Sequence, residues 1–259
     1  MAILGKAVEG VLGSSLSLCL TIIDHSPTPL VRAELPRDPR LVYIHNPLNP
    51  GFGAGHNLAM LEAVQSSHYH LVLNPDVEFD PAILQRMFQH MEENPSVGMI
   101  SPKILYPSGE VQHLCKLLPT PADVFLRRVL GNTDWVKRRN MQYEMRKSGY
   151  DQKMNVPCLS GCFMMIRSSV LKEVGVFDER FFMYFEDVDL GRRIHQHYVT
   201  LFFPGCIVIH HYQKGSYFQI NLLRTHIRSA IAYFGKWGWV FDAERDSINA
   251  TAKKITRIG

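Results

Sequence analysis

Cysteine is scarce in this chain and badly placed for bridges. Five residues, Cys19, Cys115, Cys158, Cys162 and Cys206, are scattered through 259 positions. An odd, dispersed set favours a reducing compartment over a disulfide framework. Cys158 and Cys162 lack a second pair at metal-ligand spacing, so they read as buried thiols. Long apolar runs are missing too: no stretch reaches the ~18 to 20 residues of a membrane span. Near the start, Glu9 breaks a short apolar run, which argues against a signal peptide. These absences predict a cytoplasmic chain. Excess charge of one sign is also lacking. A net charge of +4 allows loose attraction to anionic lipid or to a diphosphate. No DNA- or RNA-binding signature accompanies it, so nucleic acid is not an expected partner. There are no repeats, no low-complexity tracts and no His-Glu-x-x-His zinc motif.

What is present suits a globular protein of one large or two small domains. The apolar fraction is 46% and the charged fraction 20%, enough to bury a substantial core. Spacing predicts a helix over 4–16, a strand over 18–23 stopped by Asp24-His25-Ser26-Pro27, and a strand over 41–44. A loop rich in Gly and Pro, 46–55, precedes a helix over 56–65. A strand over 69–73 ends at Asn74-Pro75-Asp76, and an amphipathic helix follows over 81–93, with Pro81 at its first position. Short strands lie on either side of Pro102. This alternation argues for an α/β fold with a mainly parallel sheet, whose ligands bind at the carboxyl ends of strands. Asp24, Asn74 and Asp76 occupy such ends.

Residues 113–155 are basic, with interspersed aromatics and no clean period. They read as an excursion from the sheet that covers a site or meets an acceptor, or as a solvated helical insertion. Strand returns over 160–167. Helices are expected over 168–174, 187–197 and 219–235, with a strand over 201–209 that delivers His210-His211.

Three features bear on chemistry. Asp76 at a strand end can hold a divalent metal through hard oxygen coordination, although Asn-Pro-Asp is also a common turn sequence. Only one of His210 and His211 can face a given site, because strand neighbours point to opposite faces. Glu186, Asp187 and Asp189 follow the aromatic run Phe181-Phe182-Met183-Tyr184-Phe185. Burial there would raise a carboxylate pKa and make it a better base; helix capping is the plainer role. If Asp76, Asp187 and His210 converge, they supply a metal ligand, a base and a second ligand. That set suits displacement at a carbon bearing a phosphate leaving group.

The motifs together resemble the family 2 glycosyltransferases, inverting enzymes of the GT-A fold, and among them the bacterial rhamnosyltransferase-like branch. The resemblance is carried by Ile22-Ile23-Asp24-His25-Ser26-Pro27, by Asn49-Pro50-Gly51-Phe52-Gly53-Ala54-Gly55-His56-Asn57 and by Leu73-Asn74-Pro75-Asp76. It continues through Ser160-Gly161-Cys162-Phe163-Met164, Gly175 to Phe182, Glu186-Asp187-Val188-Asp189-Leu190 and His210. His25 stands where the family usually has Asn; its ring can still hydrogen-bond.

The resemblance implies a GT-A domain over 1–259. A nucleotide-sugar half (1–110) would precede an acceptor and catalytic half (111–218) and a helical tail (219–259). It implies Asp187 as general base with Glu186 beside it, and donor contacts from Asp24, Gly53, Asn57, Asn74 and Asp76. Mg²⁺ or Mn²⁺ would sit on Asp76 and His210, and Gly161 and Asp178 would shape the acceptor pocket. Asp189 would be a supporting residue on the helix. The implied donor is a nucleotide sugar, dTDP-L-rhamnose by resemblance, and the implied acceptor a cell-surface or lipid-linked glycan. Peripheral association with the inner face of the cytoplasmic membrane would follow. Family members normally begin with a strand ending in a Tyr-Asn or similar pair, and this chain starts at the helix after it. Either the start is set too late or the first strand is lost; a lost inner strand would leave backbone groups unpaired beside the sheet.

Overall fold

A computed structural model describes residues 2–126, 131, 133–211 and 220–255. The helix α1 (Ala2–Leu12) leads into strand β1 (Leu20–Asp24) and, after a short 3₁₀ turn, β2 (Leu41–His45). Next come α2 (Phe52–Ser66), β3 (Tyr69–Leu73), β4 (Val77–Glu78), α3 (Ala82–Glu93) and β5 (Val97–Leu105). A π-helical turn (Ala122–Leu126) and α4 (Asp134–Tyr143) fill the middle of the chain. Then follow β6 (Met154–Asn155), β7 (Phe163–Arg167), α5 (Ser168–Val174), α6 (Glu186–His195) and β8 (Val199–His210). The described chain closes with α7 (Ile220–Trp237) and α8 (Ala243–Ile255).

The main sheet runs β3-β7-β5-β8-β4, with β6 pairing β8. Strand β5 pairs β8 in parallel, whereas β7 sits antiparallel between β3 and β5. The parallel character expected from the sequence is carried by β3, β5 and β8, which share one direction, and by the parallel pair β1–β2. The short strands β4 and β6 oppose β8.

Alternating side chains of β7 show why helices cover both faces. Met164 and Ile166 pack with Met60 and Val64 of α2, Val170 of α5 and Leu190 of α6. Phe163 and Met165 pack on the other face with Ile83, Leu84, Met87 and Met91 of α3 and Val11 of α1. A strand buried on both faces reads as a continuous apolar run, and Phe163-Met164-Met165-Ile166 is one. A third cluster, Phe181, Phe185, Tyr233 and Phe234, seats α7 against the aromatic run before α6.

The sheet also has a break. The pair β1–β2 forms a separate sheet with no ladder to β3. Leu18 and Leu20 on one side and Tyr69, Leu71 and Leu73 on the other pack on the same apolar cluster. The inner strand that the family resemblance leads one to expect is not supplied by the described residues.

Several boundaries differ from the sequence reading. Helix α2 begins at Phe52, four residues earlier than expected, because the glycines before His56 belong to its first turn. Strand β5 runs unbroken through Pro102, with the register shift between Pro102 and Lys103 absorbing the missing donor. Helix α1 ends at Leu12, and Gly13 closes it by donating to the Glu9 carbonyl.

Candidate active site

The site is built on the turn before α6. Glu186 and Asp187 open that helix, and the residue before them, Phe185, has φ +69°. Tyr184 also has a positive φ, +70°. Two consecutive bulky residues in the left-handed region are costly, and such strain persists only where the surroundings over-determine it. Here the surroundings are clear. The aromatic cluster under α7 holds Phe181 and Phe185. On the other side, Phe52 N–H donates to the Phe182 carbonyl at 2.8 Å. Gly51, at φ +103°, makes that approach possible, since a Cβ there would lie 2.2 Å from the same carbonyl oxygen.

Asp187 is half-buried, and both its oxygens accept backbone N–H groups. Oδ2 accepts from Gly161 at 3.0 Å and Oδ1 from Val188 at 2.8 Å. A carboxylate has about four acceptor positions, so it is oriented while keeping lone pairs for a proton. Glu186 is buried, and its Oε2 has no hydrogen-bond partner among the described residues. Burial, then the neighbouring Asp187 charge, raises its pKa well above the carboxylate range. The two adjacent acids are thus placed differently: burial pushes the Glu186 carboxyl toward its protonated form, while Asp187 is half-buried and oriented by backbone donors. Both line a cavity of about 160 Å³. Lys116, Val124, Tyr143, Ser160, Tyr184 and His226 share the lining.

Asp76 lies in the turn between β3 and β4. Its Oδ1 is 3.2 Å from His210 Nε2 at the end of β8. Gln112 fixes that ring: its amide donates to the His210 carbonyl at 2.7 Å, and His210 Nδ1 donates to its Oε1 at 3.0 Å. Nε2 is thereby aimed at Asp76. Burial lowers the His210 pKa, but hydrogen bonds and charge from Asp76 and Cys162 override it and lift it to about 9. Burial likewise raises Asp76, yet the same histidine holds it below its usual value. His211 points the other way and meets Glu78 at 3.1 Å. Strand alternation therefore assigns His210 to the site.

Residues 160–162 connect the two ends. Gly161 N–H is on Asp187, the Cys162 carbonyl accepts from Asn74 N–H at 2.9 Å, and the Cys162 thiol adjoins His210. Cys158 and Cys162 are both buried, as expected.

A divalent cation fits here with few protein ligands. Asp76 and His210 form one donor pair, and the buried Asn74 Oδ1 has no partner among the described residues. Among those residues there is no group of three or more His, Cys, Asp or Glu able to hold a metal. Such a site matches a hard cation that keeps most positions for phosphate oxygens and water. Losing the Nε2 proton would be part of binding it.

Other expected site residues have structural work. Asp24 accepts from Ser26 N–H (2.9 Å), Ser26 Oγ (2.6 Å) and Tyr43 Oη (2.6 Å), which fixes the loop at the end of β1. Asn57 was expected on the nucleotide. It is instead a buried pin, donating to the Phe177 carbonyl and Glu179 Oε1, each at 2.9 Å, and accepting from Phe177 N–H at 3.1 Å. Gly53 packs against Phe177, where a Cβ would come within 3.0 Å. It permits the close approach of α2 to Phe177. Asp178 is tied to Lys236 at 2.9 Å and Arg180 at 2.9 Å, outside the cavity lining. Asp189 is fully buried and accepts from Lys236, Arg193 and Trp237, the supporting role expected of it. His25 does hydrogen-bond, donating Nδ1 to the Asn46 carbonyl at 2.7 Å. Gln112 and Lys116 were missed. Neither sits in a recognisable motif, and only the pairing of distant segments brings them in.

Comparison with known proteins agrees with this geometry. The family model described as "Glycosyltransferase like family 2" matches residues 29–232. The N-acetylglucosaminyl-diphospho-decaprenol L-rhamnosyltransferase of Mycobacterium tuberculosis (strain ATCC 25618 / H37Rv) is 30% identical over 149 residues, 54% of this chain and 46% of that protein. The chain thus spans about half the length of the curated relatives it matches. The crystal structure of GalNAc-T7 with UDP, GalNAc and Mn²⁺ superposes with a TM-score of 0.58 at 13% identity, covering 86% of this chain and 44% of that one. The mannosyltransferase PcManGT from Pyrobaculum calidifontis, in complex with GDP-Man and Mn²⁺, gives 0.56 at 14% identity, covering 89% and 61%. The fold is GT-A, and the chain belongs to the family 2 glycosyltransferases.

Proposed function

We infer that the chain moves a sugar from a nucleoside diphosphate donor to a hydroxyl of a glycan, with inversion at the sugar carbon. The observation that carries this reading is Asp187, a carboxylate oriented by two backbone N–H groups at the wall of a cavity sized for a small polar acceptor. Asp187 takes the proton as the acceptor oxygen bonds to C1 of the sugar. The C1–O bond to the diphosphate breaks at the same time, and the electron pair leaves with the phosphate. Neutral Glu186 adds no second negative charge beside the attacking oxygen. Asp76 and His210, with the Asn74 carbonyl beside them, are the residues that would hold Mg²⁺ or Mn²⁺; when bound, the cation neutralises the departing diphosphate. The name of the mycobacterial relative favours L-rhamnose as the sugar moved and a polyprenyl-diphosphate-linked glycan as acceptor; dTDP is the nucleotide implied by the family resemblance.

The separate β1–β2 pair supports a second reading, a catalytically silent relative that binds partner or nucleotide without turnover. Calorimetric titration of dTDP and UDP, with and without Mn²⁺, on the chain and on Asp76→Ala decides between them. Metal-dependent binding that Asp76→Ala abolishes, followed by sugar transfer, supports the transferase. Folded protein that binds neither nucleotide rejects it.

A further inference from the structure

The loop between α7 and α8 exposes three consecutive apolar side chains: Trp239 at 43%, Val240 at 70% and Phe241 at 94%. Its two ends are clamped. Gly238 turns the chain at φ +104°, with the Phe241 carbonyl oxygen so close that a Cβ would lie 2.7 Å from it. Asp242 is buried and receives both guanidinium nitrogens of buried Arg192 at 2.7 Å. Arg245 N–H donates to Asp242 at 2.9 Å, and its guanidinium to the Val240 carbonyl at 3.0 Å. The tip is therefore held outward by its supports.

This tip joins the wall of the cavity. Trp239 stacks on Phe125, with ring centroids 6.2 Å apart and planes at 12°. Phe125 belongs to the π-helical turn, and the preceding residue, Val124, lines the cavity. Asp123 of the same turn binds Arg139 of α4 at 2.5 Å. That helix presents exposed Trp135, Lys137 and Arg138; Lys137 lies 3.5 Å from the exposed Asp134, and the half-buried Arg139 is held by Asp123. Arg139 lies over the Trp135 ring at 5.4 Å. Beyond the tip, exposed Asp246 and half-exposed Glu244 open α8. Thus one turn carries cavity lining, an apolar tip and a cationic aromatic helix.

We propose that the 239–241 tip and the cationic face of α4 form a lip that docks on an anionic lipid bilayer beside the acceptor cavity. Aromatic tips flanked by cations are the composition that settles at a headgroup boundary. Each exposed cation near an anionic leaflet adds attraction. A second copy of the chain is the poorer occupant, because a three-residue tip falls short of the ~800 Å² per partner of a stable interface. The proposal rests on the transferase reading only in naming why the cavity should face a membrane: its acceptor is carried there.

The test is co-sedimentation of the chain with phosphatidylcholine vesicles, with and without phosphatidylglycerol, alongside dTDP titration of the same samples. The expected result is sedimentation with the anionic vesicles, reduced at least roughly tenfold in partition by V240S/F241S. K137Q/R138Q should lose the phosphatidylglycerol-dependent part, and both variants should keep wild-type dTDP affinity. Wild-type protein that binds dTDP but stays in the supernatant with both vesicle types overturns the lip and leaves the transferase standing. Vesicle binding that V240S/F241S does not weaken also overturns it, as does a wild-type dimer in sedimentation that F241S dissociates. Protein that sediments as expected but binds no dTDP supports the lip and counts against the transferase.

Discussion

Two loops of this molecule treat their carboxylates in opposite ways. At the end of β1, Asp24 is met by three donors and has little left to offer. At the start of α6, Glu186 keeps a buried oxygen without a partner, and Asp187 is aimed but not saturated. The first arrangement stabilises a turn. The second maintains a buried carboxyl at an energetic cost that no packing benefit repays, since an unsatisfied buried polar group destabilises by ~1–3 kcal/mol. In this fold, an acid saturated by donors marks architecture, and the acid suited to chemistry is Asp187, oriented by two donors with acceptor positions to spare.

The strongest way to break that contrast is within the second loop. Asp187→Asn should lower sugar transfer by ~10²–10⁴-fold, the range of a lost general base, while dTDP affinity stays at the wild-type value. Glu186→Gln, which copies a neutral carboxyl, should change turnover by less than about tenfold, or ~1.4 kcal/mol. If Glu186→Gln proves as damaging as Asp187→Asn, the assignment of roles is reversed.

A second comparison sets Asp24 against Asp76. Asp24→Asn keeps one acceptor oxygen for Ser26 but replaces the oxygen that accepts from Tyr43 Oη with an amide, and should destabilise folding by ~1–3 kcal/mol, read as a lower urea midpoint, with metal dependence intact. Asp76→Asn takes the charge partner from buried His210 and should also lower the midpoint, but unlike Asp24→Asn it should remove the Mn²⁺-dependent share of nucleotide binding. Should both variants lose stability equally and keep Mn²⁺ dependence, Asp76 is a turn residue and the cation site is elsewhere.

The sequence discloses these regions unequally. Alternation of strands and helices, the acids after an aromatic run and the strand-end histidine are local signals, and each placed a residue near its observed position. Asn57 misled because its role depends on Phe177 and Glu179, more than a hundred positions away, which no local pattern registers. Gly53 has a similar long-range contact: a glycine at a helix start reads as a phosphate cradle or as a close approach, and the close approach to Phe177 is invisible to any local pattern. Helix α4 and the π-helical turn were hidden in the aperiodic basic stretch, because they are joined by Asp123, Arg139 and Thr120 binding one another and bury only isolated apolar residues such as Val124 and Val136. Arg127 and Arg128 of that stretch lie outside the described residues.

The smallest effect is one of pH, and it separates the β1 loop from strand β3. His70 on β3 has Nε2 buried without a partner among the described residues, and burial takes its pKa down to about 4. His56 of α2 is lowered further, to about 3, by burial and then by His70 and His25. A histidine with a depressed folded pKa favours folding in its neutral form. Its contribution is whole above the unfolded value near 6.5 and drains away as pH falls from there toward 4. Burial raises Asp24, but Ser26 and Tyr43 outweigh it and hold the pKa below its usual value. Its contribution therefore survives until the pH falls below the ordinary carboxylate range. Urea midpoints should thus decline between about pH 6.5 and 4.5 in the wild type, and His70→Gln should flatten that decline while Asp24→Asn leaves its slope alone. Parallel curves for wild type and His70→Gln would mean that His70 titrates as it does in water, and that its surroundings on β3 are wetted.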